Sequence, residues 1–301
     1  MAPLVAAASL FMISWLGEDV VTFVPHAAGA DSDPAVPGLS IRELPLDVNP
    51  RVERWMEELR TNRRADLEAL IDRSGIFADL IRSELRERAM PEELLYLAMI
   101  ESGLSPLAES HRAAVGLWQF RDAAARDYGL RMDGYVDERR DPVRATEAAL
   151  DYLYWLRARF GSWYLAIAAY NAGPARIERA LELYAGGRTG DENLYWQILR
   201  HLPRETREYV PRLIATALLA AEAESLGPTM ESAAEPYAYD QVFVPGGTEM
   251  GATARSLGVE VEVLEDLNPH LIRGETPPDE IWALRVPRGR ASDLVAAVAR
   301  E

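Results

Sequence analysis

The most informative segment of the chain is LLYLAMIESG, residues 94–103, in which seven apolar residues lead to Glu101. Pro91 stands just before it, and Glu92 and Glu93 follow Pro91, as expected for the first turn of a helix. Gly103 is suited to the left-handed conformation that ends a helix. The segment therefore predicts a short, buried helix with an acid in its last turn.

Glu101 is the candidate catalytic residue. Apolar packing and the partial negative charge of a helix C-terminus both disfavour a carboxylate, so its pKa should lie above that of a free glutamate. A general acid needs such a shift to hold its proton near neutral pH. The alternative for a single carboxylate is an exposed acid at a helix end, so further polar residues must support the assignment.

Other segments also predict helices. Apolar residues recur at spacings of three and four over residues 49–89, which indicates a helical scaffold without chemistry of its own. Asp141-Pro142 announces a helix that stops at Gly161, and residues 163–169 are apolar on nearly every face, which predicts a buried, central helix. A long helix is predicted from Glu205 to Leu226, with Pro211 near its start. The main domain should therefore be all-helical.

Composition excludes several functions. The chain has 301 residues, of which 49% are hydrophobic, and a net charge of −16, which argues against a nucleic-acid partner. There is no cysteine, which excludes disulfides and thiolate chemistry. No pair among the four histidines has a zinc-type spacing, so the sequence predicts neither a metal nor another cofactor.

The N-terminus predicts export. Residues 4–16 form an apolar run long enough for the core of a signal peptide, and Ala28-Gly29-Ala30 offers small residues for cleavage within a signal peptide of residues 1–30. No Lys or Arg precedes the run, and Glu18 and Asp19 follow it, so an uncleaved segment that associates with a membrane stays an alternative. Either reading predicts a location in the periplasm or cell envelope.

Four polar motifs come after the predicted helix of Glu101 in an ordered series: Ser110-His111, GLWQF over residues 116–120, AYNAG over residues 169–173, and ETREYV over residues 205–210. In order and spacing they resemble the lytic transglycosylases of glycoside hydrolase family 23, which are related to goose-type lysozyme. The resemblance implies a lysozyme-like fold and a peptidoglycan glycan strand as substrate. It implies Glu101 as the catalytic residue, and substrate contacts from Ser102, Ser110, Gln119, Tyr170, Asn171 and Tyr209. Each contact residue could instead be a structural polar group, Tyr170 above all because it ends a buried helix.

The residues themselves indicate one acid without a partner carboxylate, because Glu109, Asp122, Asp127, Asp133 and Asp137 lie in polar stretches. Most glycosidases use two carboxylates, but substrate-assisted chemistry needs one. The resemblance implies such a reaction, in which Glu101 acts as acid and then as base and a 1,6-anhydro sugar forms. A muramidase, which would use water, and a wall-binding protein without activity stay as alternatives. Arg112 and Arg121 depart from the family pattern, which leaves the loop shape and nearby glycan contacts open.

The C-terminal residues predict a strand, two helices and a strand, at 240–244, 248–257, 261–267 and 281–286. This order resembles a degenerate LysM module, which would bind glycan or dock on the catalytic domain. The predicted organisation is a mainly α protein with a linker (31–48), a helical scaffold (49–85), a catalytic domain (86–228), a linker (229–236), a βααβ LysM-like module (237–289) and a tail (290–301).

Overall fold

The computed structural model describes residues 43–225 and 235–298. The predicted signal peptide, most of the first linker and most of the second linker lie outside the described residues. The described residues fall into two compact units. The larger comprises residues 43–225, 235–237 and 269–273, and the smaller comprises residues 238–268 and 274–298.

Nine α-helices make up the regular structure described in the larger unit, together with three short 3₁₀ helices at Glu92–Leu94, Glu138–Arg140 and Leu199–His201. The α-helices are α1 (Pro50–Arg60), α2 (Arg64–Glu87), α3 (Leu95–Ser102), α4 (Asp122–Asp127), α5 (Pro142–Phe160), α6 (Trp163–Ala172), α7 (Pro174–Ala185), α8 (Asn193–Ile198) and α9 (Arg204–Ser225). The mainly α prediction is confirmed. Helices α4, α7 and α8 were not predicted from the sequence.

Helix α6 is the centre of this unit. Its residues from Trp163 to Ala169 are fully buried, as predicted, and it packs against α5, α7, α8 and α9. Helix α5 begins as predicted, since the Asp141 carboxylate accepts hydrogen bonds from the backbone N–H groups of Val143 and Arg144. It ends at Gly161, whose φ of 64° is left-handed. Two helices that bury their apolar faces against each other thus hold the middle of the fold.

A buried carboxylate holds the N-terminus of α6. Glu192 is 9% exposed, and its oxygens accept hydrogen bonds from the Ser162 hydroxyl and from the backbone N–H groups of Trp163 and Tyr164, the last two at 2.8 Å. These N–H groups belong to the first turn of a helix, which has no intrahelical acceptors for them. A negative charge there is also favoured by the helix dipole.

We expect Glu192→Gln to lower the free energy of unfolding by about 1–3 kcal/mol, because an amide oxygen accepts more weakly and the NH₂ group that replaces the other oxygen would face at least one of the three donors. Urea denaturation measures the change. Glu68→Gln is the control: Glu68 pairs with Arg64 on an exposed surface of α2, and its loss should cost less than about 0.5 kcal/mol. Equal effects of the two substitutions would contradict a supporting role for Glu192.

Helix α9 crosses the unit and packs against α1, α3 and α6. It contains Pro211 two turns from its start, as predicted, and seven residues between Val210 and Ala220 are nearly inaccessible to solvent: Val210, Leu213, Ile214, Ala215, Thr216, Ala217 and Ala220. Its contact with α3 brings the ETREYV motif beside the helix that carries Glu101.

The smaller unit has the predicted order of strand, two helices and strand, with a further helix after them. These are β1 (Tyr239–Val244), α10 (Met250–Leu257), α11 (Val261–Leu267), β2 (Trp282–Pro287) and α12 (Ala291–Val298). The strands pair antiparallel from Tyr239 opposite Pro287 to Val244 opposite Trp282. The predicted tail contains α12, which was not predicted.

The described helices include none that combines the length and the apolar character needed to cross a membrane.

Candidate active site

Glu101 lies in the last turn of α3, one residue before the helix ends. Gly103 comes next in the left-handed conformation, with φ of 64°, as predicted. The Glu101 carboxylate accepts a short hydrogen bond from the Tyr209 hydroxyl on α9. The acid and the tyrosine, 108 residues apart in sequence, are therefore direct partners.

The pKa of Glu101 is raised from 4.5 to about 7, mainly because burial disfavours its charged form. The hydrogen bond from Tyr209 and the charge of Arg212 lower the pKa, and the negative charge of Glu205 raises it. The predicted upward shift is confirmed, with burial as its main cause. A pKa near neutrality lets the group give a proton and later take one back.

Tyr209 is the donor in this pair. Burial and the nearby charge of Glu101 raise the pKa of the Tyr209 phenol well above 10, so the phenol keeps its proton. A phenol that stays protonated can donate its hydrogen to the Glu101 carboxylate. It therefore fixes the position of one carboxylate oxygen.

The loop after α3 closes back on itself. The Ser102 hydroxyl donates to the carbonyl of Leu117 at 2.8 Å, which ties the end of α3 to the GLWQF motif. Gly116 is required here, because its φ is +83° and a Cβ atom would lie 1.8 Å from the carbonyl oxygen of Arg139. Ser102, predicted to bind substrate, thus uses its hydroxyl hydrogen within the protein.

Gln119 adopts a left-handed backbone, with φ of 52°. Its side-chain nitrogen donates to the carbonyls of Ala108 at 3.2 Å and Gly116 at 3.0 Å. Since both partners are acceptors, the NH₂ group must face them, and these bonds leave the amide oxygen for other donors. Gln119 is thus oriented to accept a hydrogen bond.

Ser110, in contrast to Gln119, is oriented to donate a hydrogen bond. Its oxygen accepts from the backbone N–H groups of Ala114 at 3.0 Å and Arg112 at 3.3 Å. These two bonds leave the hydroxyl hydrogen for a separate acceptor. The two loop residues therefore offer complementary groups, a donor from Ser110 and an acceptor from Gln119.

Asn171, in the last turn of α6, is joined to the first turn of α9. Its oxygen accepts from the Thr206 hydroxyl at 2.9 Å, and its nitrogen donates to Glu205 at 3.3 Å. The other carboxylate oxygen of Glu205 lies 3.6 Å from the guanidinium of Arg112. The end of α6, the start of α9 and the loop after α3 are connected through these side chains.

Tyr170 is held within the protein. Its hydroxyl donates to the carbonyl of Trp118 at 2.8 Å, and its ring packs against Tyr152 with centroids 5.3 Å apart. The proximity of Glu101 contributes to a raised pKa of the Tyr170 phenol, after burial as the main cause. Tyr170 therefore lies beside Glu101 and supports the residue that precedes Gln119.

Sequence reasoning missed two charged residues of this site. Glu205 lies four residues before Tyr209 and Arg212 three residues after it, and both act on the pKa of Glu101. Residues at these spacings share one helix face, so the predicted helix over residues 205–226 contained the signal. Arg212 is partly buried, and its guanidinium lies 5.8 Å from the centre of the Trp55 ring.

Asp137, which the sequence predicts to be a solvated charge, is buried. Asp137 is 8% exposed and pairs with Arg139 at 2.8 Å, because the chain folds back around the 3₁₀ helix that begins beside it. Its role is structural, since it also caps that helix. Across the parts of the chain that the structure describes, no three His, Cys, Asp or Glu side chains are grouped as metal ligands would be.

The fold and the site together define a class of protein. A protonatable, partly exposed glutamate lies in the last turn of a helix and accepts from Tyr209, and the loop after that helix carries polar residues of fixed hydrogen-bonding polarity. The family "Transglycosylase SLT domain" matches residues 80–191, which include Glu101, Gln119 and Asn171. Residues 80–191 of the chain are therefore similar to a transglycosylase SLT domain.

Among its relatives is the membrane-bound lytic murein transglycosylase D of Escherichia coli (strain K12), 33% identical over 198 residues, which are 65% of this chain and 42% of that protein. A putative tributyltin chloride resistance protein of Alteromonas sp. (strain M-1) is 40% identical over 102 residues, 34% of this chain and 49% of that one. The chain spans less than half the length of these relatives. The soluble lytic transglycosylase SLT70 of Escherichia coli is similar in structure, with a TM-score of 0.44 and 21% identity over 60% of this chain and 32% of that one.

Proposed function

We propose that the protein is a peptidoglycan lytic transglycosylase, which cleaves the β-1,4 bond between N-acetylmuramic acid and N-acetylglucosamine. The observation that carries this proposal is Glu101, whose pKa is raised to about 7 mainly by desolvation, in hydrogen-bonding contact with Tyr209. The SLT domain and the relatives named for murein support the choice of substrate. In the proposed mechanism, Glu101 makes both proton transfers.

In the first step, protonated Glu101 gives its proton to the glycosidic oxygen, and the bond from that oxygen to the anomeric carbon of the muramic sugar breaks. Positive charge develops on that carbon, and the oxygen of the sugar's own 2-acetamido group supports it, so no second carboxylate is required. Glu205 is the carboxylate whose negative charge raises the pKa of Glu101. It accepts a hydrogen bond from Asn171 and forms an ion pair with Arg112.

In the second step, the Glu101 carboxylate removes the proton from the 6-hydroxyl of the same sugar. The 6-oxygen then bonds to the anomeric carbon, which gives a 1,6-anhydro end without the entry of water. Glu101 recovers its proton and is ready for a second cycle. A pKa near neutrality suits a group that must act in both directions.

The remaining predicted residues receive roles that derive from their free groups. The oxygen of Gln119 would accept from the acetamido N–H of a sugar, and the Ser110 hydroxyl would donate to a sugar oxygen. Tyr209 would position Glu101, while Asn171 and Tyr170 would form the wall beside it. Ser102, whose hydroxyl hydrogen is used by Leu117, would contact substrate through its oxygen.

The catalytic domain would be residues 86–228, preceded by the helical scaffold, and the smaller unit would be a LysM-like module that binds the same glycan. An exported protein of the periplasm or cell envelope would meet this substrate, and the N-terminal apolar segment would serve for export or for membrane association.

The test is the end group of the products. We expect purified protein to release fragments from peptidoglycan sacculi that carry 1,6-anhydro ends, with a mass ~18 Da below that of the hydrolysis product because one water is missing. Reducing ends would instead identify a muramidase. Binding without release would identify a wall-binding protein and would overturn the enzymatic proposal.

A further inference from the structure

We infer that Arg112 recognises a carboxylate on the glycan substrate, and that its ion pair with Glu205 is exchanged for this contact when a strand binds. The inference rests on the proposed function, because it names a specificity-determining residue for the same site.

Glu205 faces the site. It lies four residues before Tyr209 on α9, so the two side chains share one helix face, and Tyr209 bonds directly to Glu101. One Glu205 oxygen accepts from Asn171, and the other lies 3.6 Å from the Arg112 guanidinium. Arg112 therefore reaches from the loop after α3 to the rim of the site.

Arg112 belongs to the turn that holds Ser110. Its backbone N–H donates to the Ser110 oxygen, and Ala113, the next residue, has a left-handed φ of 56°. The backbone at Arg112 is thus fixed by the turn, while its side chain is 63% exposed. A fixed backbone with an exposed guanidinium suits a side chain that must contact a ligand.

The ion pair is weak enough to exchange. Both side chains are about two-thirds exposed, and a separation of 3.6 Å is longer than a direct hydrogen bond. Exposed pairs of this kind contribute little to stability, since water solvates both partners. An incoming carboxylate can replace Glu205 at the guanidinium and form a bidentate contact, which arginine favours.

Charge explains why such a residue is needed. The protein carries a net charge of −16, and the site contains the carboxyl groups of Glu101 and Glu205. Peptidoglycan strands are also anionic: muramic acid has a lactyl carboxyl group, which is free in peptide-free strands and amide-linked where a stem peptide with its own carboxylates is attached. Arg112 would offset the repulsion between these like charges.

The experiment measures binding of soluble glycan strands to a Glu101→Gln protein, which would not consume them, with and without Arg112→Gln. Three strand preparations are used: peptide-bearing strands, peptide-free strands with free lactyl carboxylates, and peptide-free strands whose carboxylates have been converted to amides. We expect Arg112→Gln to weaken binding about fivefold, on the scale of one exposed charge pair, only where carboxylates are present. Arg112→Lys, which keeps the charge but cannot form the bidentate contact, should recover only part of the loss.

Arg60→Gln is the matched control, because Arg60 forms an exposed ion pair with Glu222, also on α9. It should leave binding of all three strand preparations unchanged, and neither arginine substitution should change the thermal unfolding midpoint appreciably. In the active protein, in which Glu101 is unchanged, Arg112→Gln should raise the apparent KM for carboxylate-bearing strands about fivefold and leave kcat within about twofold.

The preparation that responds identifies the source of the carboxylate. Loss of affinity for peptide-bearing strands alone assigns it to the stem peptide, and loss for peptide-free strands assigns it to the lactyl group. An equal loss for amidated strands, or no loss for any preparation, would overturn the inference. Because binding is measured apart from product end groups, a failure of the proposed reaction would be recognised separately.

Discussion

Glu101→Gln is expected to reduce the release of anhydro-ended fragments at least ~1,000-fold, because it removes the group that both gives and takes the proton. Glutamine has nearly the same shape and keeps an oxygen that can accept from Tyr209, so the fold and substrate binding should persist. The rate is measured by quantifying anhydro ends released from sacculi. Glu92→Gln, which changes an exposed acid at the start of the same segment, should leave the rate within about twofold.

The same substitution has a pH-dependent effect on stability. Since the folded protein raises the pKa of Glu101 from 4.5 to about 7, the folded state binds the extra proton more tightly than the unfolded state. The stabilisation from this proton is fully present below pH 4.5 and is lost as the pH rises through about 7. We therefore expect Glu101→Gln to gain stability relative to the unchanged protein over this interval, by at most about 3 kcal/mol.

Two results would contradict these expectations. Retention of more than about a tenth of the activity by a folded Glu101→Gln protein would exclude Glu101 as the sole acid and base. A stability difference that does not change between pH 4.5 and 8, measured by urea denaturation, would contradict the raised pKa.

Tyr209→Phe is expected to lower kcat/KM about 10- to 100-fold and to move the alkaline limb of its pH profile upward. The Tyr209 hydroxyl stabilises the Glu101 carboxylate, so its loss should raise the pKa of Glu101 further. Because the first step needs protonated Glu101, activity should fall as the pH rises through about 7 in the unchanged protein and at a higher pH in the variant. The lower rate reflects a carboxyl group that is no longer held in place.

Tyr195→Phe provides the matched control. The Tyr195 hydroxyl bonds to the backbone carbonyls of Thr206 and Arg207 on α9, so the substitution removes a buried hydroxyl near the same helix without touching Glu101. It should reduce stability by about 1 kcal/mol and leave the pH profile in place. If both substitutions moved the alkaline limb equally, the direct contact of Tyr209 with Glu101 would not be the cause.

Local features of the sequence determined much of the helical fold. The helices from Leu95, Pro142, Trp163 and Arg204 were predicted because their signals lie within a few residues: capping acids, proline in a first turn, glycine at an end and apolar residues at helical spacing. Helix α7 was missed because Gly173 reads as an end signal, whereas Pro174 directly after it begins the next helix. The helix Ala291–Val298 was missed because the end of the chain carries no comparable glycine or proline signal after Gly289.

The sequence by itself also determined that Glu101 ends an apolar helix, and therefore that its pKa is raised. Only the tertiary structure decided the partners: Tyr209 for Glu101, Asn171 and Arg112 for Glu205, and Leu117 for Ser102. The physical reason is the range of the forces. Caps, turns and helical spacing act between neighbours in the chain, whereas the polarity and charge of a site depend on hydrogen bonds between segments that only the packing of α3, α6 and α9 brings together.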